Sequence, residues 1–334
     1  WYTNDNFNIH LSKQTVEVPS ALESLIQNYE GVAFYRKQFK VPINWNNQVV
    51  EVHFEAANYK TEVWLNDEVV GFHEGGYTPF RFRIDKLLKV GENNSLVVRI
   101  VTPIILTDKN VDGLGRQEVP MWRGAINGGL WQSVSLVKKN WAQLNDVFLE
   151  TDLLKKAVDF SFEIFNSKII NADASLEIEV FNKDNTKVVS QRHTLSLDPG
   201  NTNFKTALKI PNMQTWDTEN PYLYKAKVRL ISQEGVSDQW VHKFGFREFT
   251  VQNDEFYLNG KPLYLKAAFF EGLYPVGLGY PDSKEMAIKE IKLAKEAGFN
   301  MIRPWRKPPP KMWLELCDEL GILVVGSLVV ECMY

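Results

Sequence analysis

The sequence predicts two antiparallel β-sandwiches followed by the opening of a parallel β/α unit, and three observations carry that prediction. Short apolar/polar alternations with period two recur through residues 1–139 and again through 140–248. From 249 the period changes, and short apolar runs are separated by segments with helical spacing. Glycines, Gly298 and Gly321, follow each of those helical segments, where a helix stop belongs.

In the first segment Val50, Val52, Phe54 and Ala56 alternate with Glu51, His53 and Glu55. Phe80, Phe82 and Ile84 alternate with Arg81, Arg83 and Asp85, and Leu96, Val98 and Ile100 follow a Gly-Glu-Asn-Asn turn. Such alternation puts one face of a strand on a core and the other in water. Many short strands punctuated by Gly, Asn and Pro indicate a β-sandwich or jelly roll. Thr107–Gly129, "TDKNVDGLGRQEVPMWRGAINGG", has no clear period and carries five glycines. A connection of that length is usually functional or disordered.

The second segment opens after Lys138-Lys139-Asn140. Val158, Phe160, Phe162 and Ile164 form one alternation, Leu176, Ile178 and Val180 another, and Ala226, Val228 and Leu230 a third. Its length suits one immunoglobulin-like sandwich, without the cysteine pair of antibody domains.

The third segment, 249–334, begins with an Asn259-Gly260 hairpin, and Tyr264–Phe270 reads as a short apolar strand. Asp282-Ser283-Lys284-Glu285 has the form of a capping box, opening a helix with Ala287, Ile291 and Ala294 on one face. Phe299–Arg303 reads as a second strand. Pro308–Pro310 lead into a helix bearing Met312, Trp313, Leu316, Cys317 and Leu320. Ile322–Val330 is apolar on both faces, as a parallel strand covered by helices must be.

Composition narrows the function. The net charge of −3 and the absence of a Lys/Arg run argue against a nucleic-acid partner. The longest apolar stretch, Gly321–Val330, is far short of the ~20 residues that span a bilayer, so no membrane partner is expected. Cys317 and Cys332 are too few for a disulfide framework and lack zinc spacing. No signal peptide is visible, and a start at Trp1 reads as a processed or trimmed end.

Taken in order, eight stretches resemble glycoside hydrolase family 2, the β-galactosidase, β-glucuronidase and β-mannosidase group. They are Val63–Asn66 "VWLN", Gly71–Phe80 "GFHEGGYTPF", Gly128–Val134 "GGLWQSV", Pro221–Tyr224 "PYLY", Phe244–Arg247 "FGFR", Phe256–Pro262 "FYLNGKP", Gly298–Arg303 "GFNMIR" and Cys317–Val325 "CDELGILVV". Each is weak alone; their order and spacing make the signal. The resemblance implies a jelly-roll sugar-binding domain (1–139), an immunoglobulin-like β-sandwich (140–248) and the first three βα units of a TIM barrel (249–334). A whole barrel needs eight strands and ~250 residues. In the family the acid/base Glu follows strand four and the nucleophile Glu follows strand seven. Neither segment is in this sequence, so the chain alone is expected to be inactive.

The resemblance also implies site residues. After strand one stand Phe269, Phe270 and Glu271; after strand two, Arg303, Trp305 and Arg306; after strand three, Glu331. Arg303 matches an Arg that helps hold the catalytic carboxylates, the bland reading being a buried ion pair. Trp305 would stack on a sugar face, or simply pack. Glu331 matches a magnesium ligand of some β-galactosidases, but the neighbouring His ligand falls on Met333, so a hydrogen bond to sugar or Arg is expected and no metal or other cofactor. In the long loop, Gln117, Glu118 and Trp122 are the sugar-contact candidates, against a plain domain-interface role. His73-Glu74, beside glycines, reads as structural.

Departures matter too. Residues 249–334 hold no His, and Glu271 and Arg306 stand where the family's β-galactosidases place histidines. The Asn-Trp pattern of β-mannosidases is absent from 267–271. The expected partner is therefore a β-linked glycoside or oligosaccharide of unspecified sugar. Oligomeric state is left open, a homo-oligomer included, and the family's habits point to a periplasmic or secreted bacterial setting. The alternative reading is a non-catalytic carbohydrate-binding protein, with a structural module third.

Overall fold

The computed structural model describes residues 14–46, 48–116, 127–270, 272–275, 277–304 and 308–326. The first segment supplies β1 (Val32–Lys40), β2 (Val49–Phe54), β3 (Lys60–Leu65), β4 (Glu68–Glu74), β5 (Phe80–Arg83), β6 (Asn93–Val101) and β7 (Val134–Lys139). They form two antiparallel sheets, ordered β1-β6-β3-β4 and β5-β2-β7. The alternating side chains Val50, Val52, Phe54, Val63, Leu65, Val98 and Ile100 meet between them as one core. His73 lies on β4 with its ring stacked 4.0 Å from Phe80, and burial lowers its pKa. It is packed into the sandwich.

The second segment supplies β8 (Ala142–Asp152), β9 (Ala157–Asn166), β10 (Ala172–Phe181), β11 (Lys187–Leu197), β12 (Gly200–Lys209), β13 (Tyr224–Ser232) and β14 (Gly235–Phe244). The sheets β11-β10-β13-β14 and β12-β9-β8 enclose Phe160, Phe162, Ile164, Leu176, Ile178, Val180, Val228 and Leu230.

Beyond it, β15 (Phe249–Gln252), β16 (Glu255–Leu258) and β17 (Lys261–Pro262) make a small antiparallel sheet. Its β16–β17 turn is Asn259-Gly260 with φ of 52° and 74°, the left-handed pair that an Asn-Gly hairpin demands. Then come β18 (Ala267–Phe270), α1 (Lys284–Glu296), β19 (Met301–Pro304), α2 (Lys311–Leu320) and β20 (Leu323–Val324). The three strands pair in parallel, in chain order. Ala287, Ile291, Ile302, Trp313, Leu316 and Cys317 pack together where the helices cover one face of the sheet.

Four local expectations change, the simplest being that the described third strand covers Leu323–Val324, with Ile322 and Val325 outside it, in place of the expected Ile322–Val330. The first parallel strand starts at Ala267, not Tyr264, because Asn300 captures the approach: its Nδ2 donates to Tyr264 O and its Oδ1 accepts from Lys266 N. Ser283, not Asp282, is the N-cap of α1, accepting from Met286 N at 3.1 Å. The third position is then Met286, which has no carboxylate to return the bond. The second strand starts at Met301, two residues later than Phe299. Gly321 closes α2 at φ 75°, as expected of a left-handed C-cap.

The second sandwich is bolted to the helices. Trp216, fully buried, donates from Nε1 to Asp318 O at 2.7 Å, and Arg247 stacks on its ring at 4.6 Å while pairing with Asp318. Lys295 on α1 donates to the carbonyls of Thr218, Leu320 and Gly321. An ammonium thus sits on the negative end of α2, where helix dipole and orphan carbonyls favour it.

Candidate functional site

In parallel β/α sheets, ligands meet the carboxyl ends of the strands, so the ends of β18 and β19 define the mouth. Phe269 and Arg303 are register partners. Ile302 points into the helix-covered core, so its neighbour Arg303 points to the other face. There Arg303 is exposed, its guanidinium 5.8 Å from the Phe269 ring. A permanent cation over an aromatic, at the end of a strand, suits an anionic or hydroxyl-rich ligand. Of the residues nominated from sequence, Phe269, Phe270 and Arg303 lie within the described residues. Trp305, Arg306, Glu271, Glu331, Gln117, Glu118 and Trp122 lie outside them.

A loop, 272–282, leaves β18 and borders this mouth. Its Tyr280 ring lies 5.5 Å from Trp131 of the first sandwich. Trp131 stands two residues after Gly129, where the long 107–129 connection ends, so that connection is rooted beside the mouth. Both of its feet are built firmly. On the outgoing side, Glu30 accepts from Ile105 N, Leu106 N and Thr107 Oγ1, while buried Arg99 pairs with Glu62 and Asp112. On the returning side, Asn58 Nδ2 donates to Asn127 O, and Asn58 and Gly129 exchange backbone hydrogen bonds of 2.9 and 2.8 Å.

Glu23 completes the returning foot, accepting from Gly128 N at 3.0 and 3.2 Å on its two oxygens. Burial raises its pKa from 4.5 to about 7 against the lowering effect of those bonds. The facing groups Tyr35 and Tyr29 have pKa values raised by burial, Tyr35 to about 12, so both stay neutral here. Because the folded pKa is above the unfolded one, folding takes up a proton, and stability falls as pH rises from about 4.5 to 7. Glu23→Gln is therefore expected to flatten that decline and to exceed the wild type at pH 8 by about 1–2 kcal/mol. Urea unfolding of both proteins at pH 5 and pH 8 measures it; an unchanged pH slope would contradict the assignment.

Two hollows accompany this region. The larger, about 690 Å³, lies at the opposite, amino end of the strands among Phe249, Phe256, Leu265, Met301 and Leu323. Its charged members, Arg247 and Asp318, are already paired, so it offers apolar surface and no chemistry. The smaller, about 30 Å³, lies at the mouth between the 272–282 loop and Trp313. Among the described residues no group of three or more His, Cys, Asp or Glu could hold a metal ion, and no helix is long and apolar enough to cross a membrane. Sequence reading missed Glu23, Tyr280 and Trp216. Each acts on a partner distant along the chain, and no local pattern marks it.

Comparison with known proteins finds three family models along the chain. Residues 4–140 match the model for the family 2 glycosyl hydrolase sugar binding domain, 142–247 that for glycosyl hydrolases family 2, and 249–333 that for the family 2 TIM barrel domain. A β-galactosidase of Thermoanaerobacter pseudethanolicus is 31% identical over 316 residues, covering 90% of this chain and 40% of the relative. A β-galactosidase of Thermoanaerobacterium thermosulfurigenes is 27% identical, covering 95% and 45%. The chain thus spans less than half the length of these relatives. Among solved structures, a glycosyl hydrolase family 2 member from Bacteroides cellulosilyticus superposes with a TM-score of 0.81 at 23% identity, over 94% of this chain and 44% of that one. A Bacteroides uniformis β-glucuronidase superposes with a TM-score of 0.80 at 24% identity, over 95% and 39%. These likenesses show the fold.

Proposed function

The chain belongs to glycosyl hydrolases family 2, and on that premise we propose that it is the N-terminal part of a retaining exo-β-glycosidase acting on terminal β-linked sugars. The observation that carries the reading is the convergence on one mouth. The carboxyl ends of β18 and β19, the 272–282 loop and the root of the 107–129 connection all lie there. Domains 1–139, 140–248 and 249–334 then divide the work into a sugar-side sandwich, a spacer and the start of the catalytic barrel.

Retaining hydrolysis needs two carboxyl groups ~5 Å apart, one as nucleophile and one as acid/base. In this reading they come from later barrel strands. Arg303 faces them and stabilises their charge. Trp305, Arg306, Glu271, Glu331, Gln117, Glu118 and Trp122, which lie outside the described residues, are proposed as sugar contacts on the family resemblance alone. The full-length gene product is expected to cleave one of the p-nitrophenyl β-galactoside, β-glucuronide and β-mannoside, and residues 1–334 alone none. Cleavage of no β-glycoside by the full-length product, or turnover by the 334-residue chain alone, would overturn the proposal.

A further inference from the structure

We propose that Glu290 is a positioning residue that holds the 272–282 loop at the carboxyl end of β18, and with it the rim of the mouth. The positioning stands on geometry; only its consequence for catalysis rests on the glycosidase reading above. Glu290 lies on α1, one position from the buried Ile291. Its carboxylate gathers two donors from two other elements. Tyr274 Oη, from the loop, donates at 2.9 Å to either oxygen, and Trp313 Nε1, from α2, donates at 2.6 Å.

Each donor is tied onward. Trp313 is 2% exposed and sets its ring edge-on to Phe270, the last residue of β18, at 6.0 Å. Tyr274 anchors a loop that is tightly closed on itself: its N–H donates to Leu278 O at 2.8 Å. At Gly277 a Cβ would come within 2.1 Å of Tyr280 O, so nothing larger fits that turn. Tyr280 then abuts Trp131 at the root of the long connection. One carboxylate therefore links α1, α2, the end of β18 and, through the loop, the first sandwich.

The electrostatics agree with a structural clamp. Burial raises Glu290, with the two donors working against it, and burial plus the nearby carboxylate raises Tyr274, which stays a phenol able to donate. A half-buried carboxylate without those donors would be costly, so the pair of bonds and the placement of the loop stand or fall together.

The test uses the full-length gene product with Tyr274→Phe, Glu290→Leu and Glu290→Gln, followed by hydrogen exchange and by kinetics on the β-glycoside that the wild type cleaves. Tyr274→Phe and Glu290→Leu are expected to raise amide exchange in 272–282 at least tenfold while β8 and β9 exchange as before. KM should rise at least fivefold, more than kcat falls. Glu290→Gln, which keeps an acceptor oxygen, should recover most of both. Unchanged exchange in 272–282 overturns the proposal. So does exchange that rises throughout the molecule with KM unmoved, the mark of a residue that only supports the core. Should the wild type cleave no glycoside, the activity reading falls and the exchange measurement alone decides the clamp.

Discussion

Trp216→Ala is expected to lower stability by about 3–5 kcal/mol, the range for removing a fully buried large aromatic. The size follows from what the ring touches. Trp216 is 0% exposed, and a Cβ on Gly245 would stand 3.0 Å from the ring's Cγ, so the surrounding backbone has closed around it. Truncation leaves a cavity, strips Asp318 O of its donor and removes the surface on which Arg247 stacks. Asn259 donates to Trp216 O, so the Asn259-Gly260 hairpin loses part of its seat if the backbone there relaxes. The loss falls on the joint between the second sandwich and the helices. Urea unfolding should accordingly split into two transitions, with the one reporting α2 and β20 shifted down. Trp216→Phe keeps the packing but not the N–H, and is expected to cost about 1–3 kcal/mol for the unpaired carbonyl. A single, unshifted transition for Trp216→Ala would show that the joint is held elsewhere.

That joint also marks the boundary of what the sequence could tell. Strands such as β2, β9 and β10 were legible because a sheet with one buried face writes its orientation into every second residue. Both helices were legible from the spacing of Ala287, Ile291 and Ala294 and of Trp313, Leu316 and Cys317. The bond from Trp216 to Asp318 crosses 102 residues, that from Glu23 to Gly128 crosses 105, and that from Lys295 to Thr218 crosses 77. Nothing periodic records such pairs; they exist only once the domains have met. The same reason explains the misplaced start of β18, where the Asn300 side chain, 36 residues away, takes hydrogen bonds that a ladder would otherwise make. Of the site, the strand ends that carry Phe269 and Arg303 could be placed from the sequence pattern. Its supports, Glu23, Tyr274 and Glu290, could not be, because a carboxylate on a helix flank looks like any solvated charge until its donors arrive.

Gly129→Ala is the second large effect, and it isolates one contact at the returning foot of the long connection. Gly129 has φ of 91°, and a Cβ there would stand 2.3 Å from Tyr35 Oη and 3.4 Å from Leu22 Cβ. Left-handed strain in a residue other than glycine costs on the order of 1–3 kcal/mol. Overpacking adds roughly 1–3 kcal/mol, because Tyr35 is half-buried against the first core and its Oη already accepts from Leu130 N. The expected loss is therefore about 3 kcal/mol or more by urea unfolding. Gly200→Ala supplies the internal control: its φ of 89° is nearly the same, but no atom lies within 4 Å of the added Cβ, so strain alone operates. The difference between the two variants measures the Tyr35 contact. Combining Gly129→Ala with Tyr35→Phe removes the Oη that is struck and should recover a substantial part of that difference, although Leu130 N then loses the oxygen to which it donates at 3.4 Å. Equal losses at Gly129 and Gly200 would mean that the foot can shift without cost, and the root of the connection would not be the rigid support that its hydrogen bonds describe.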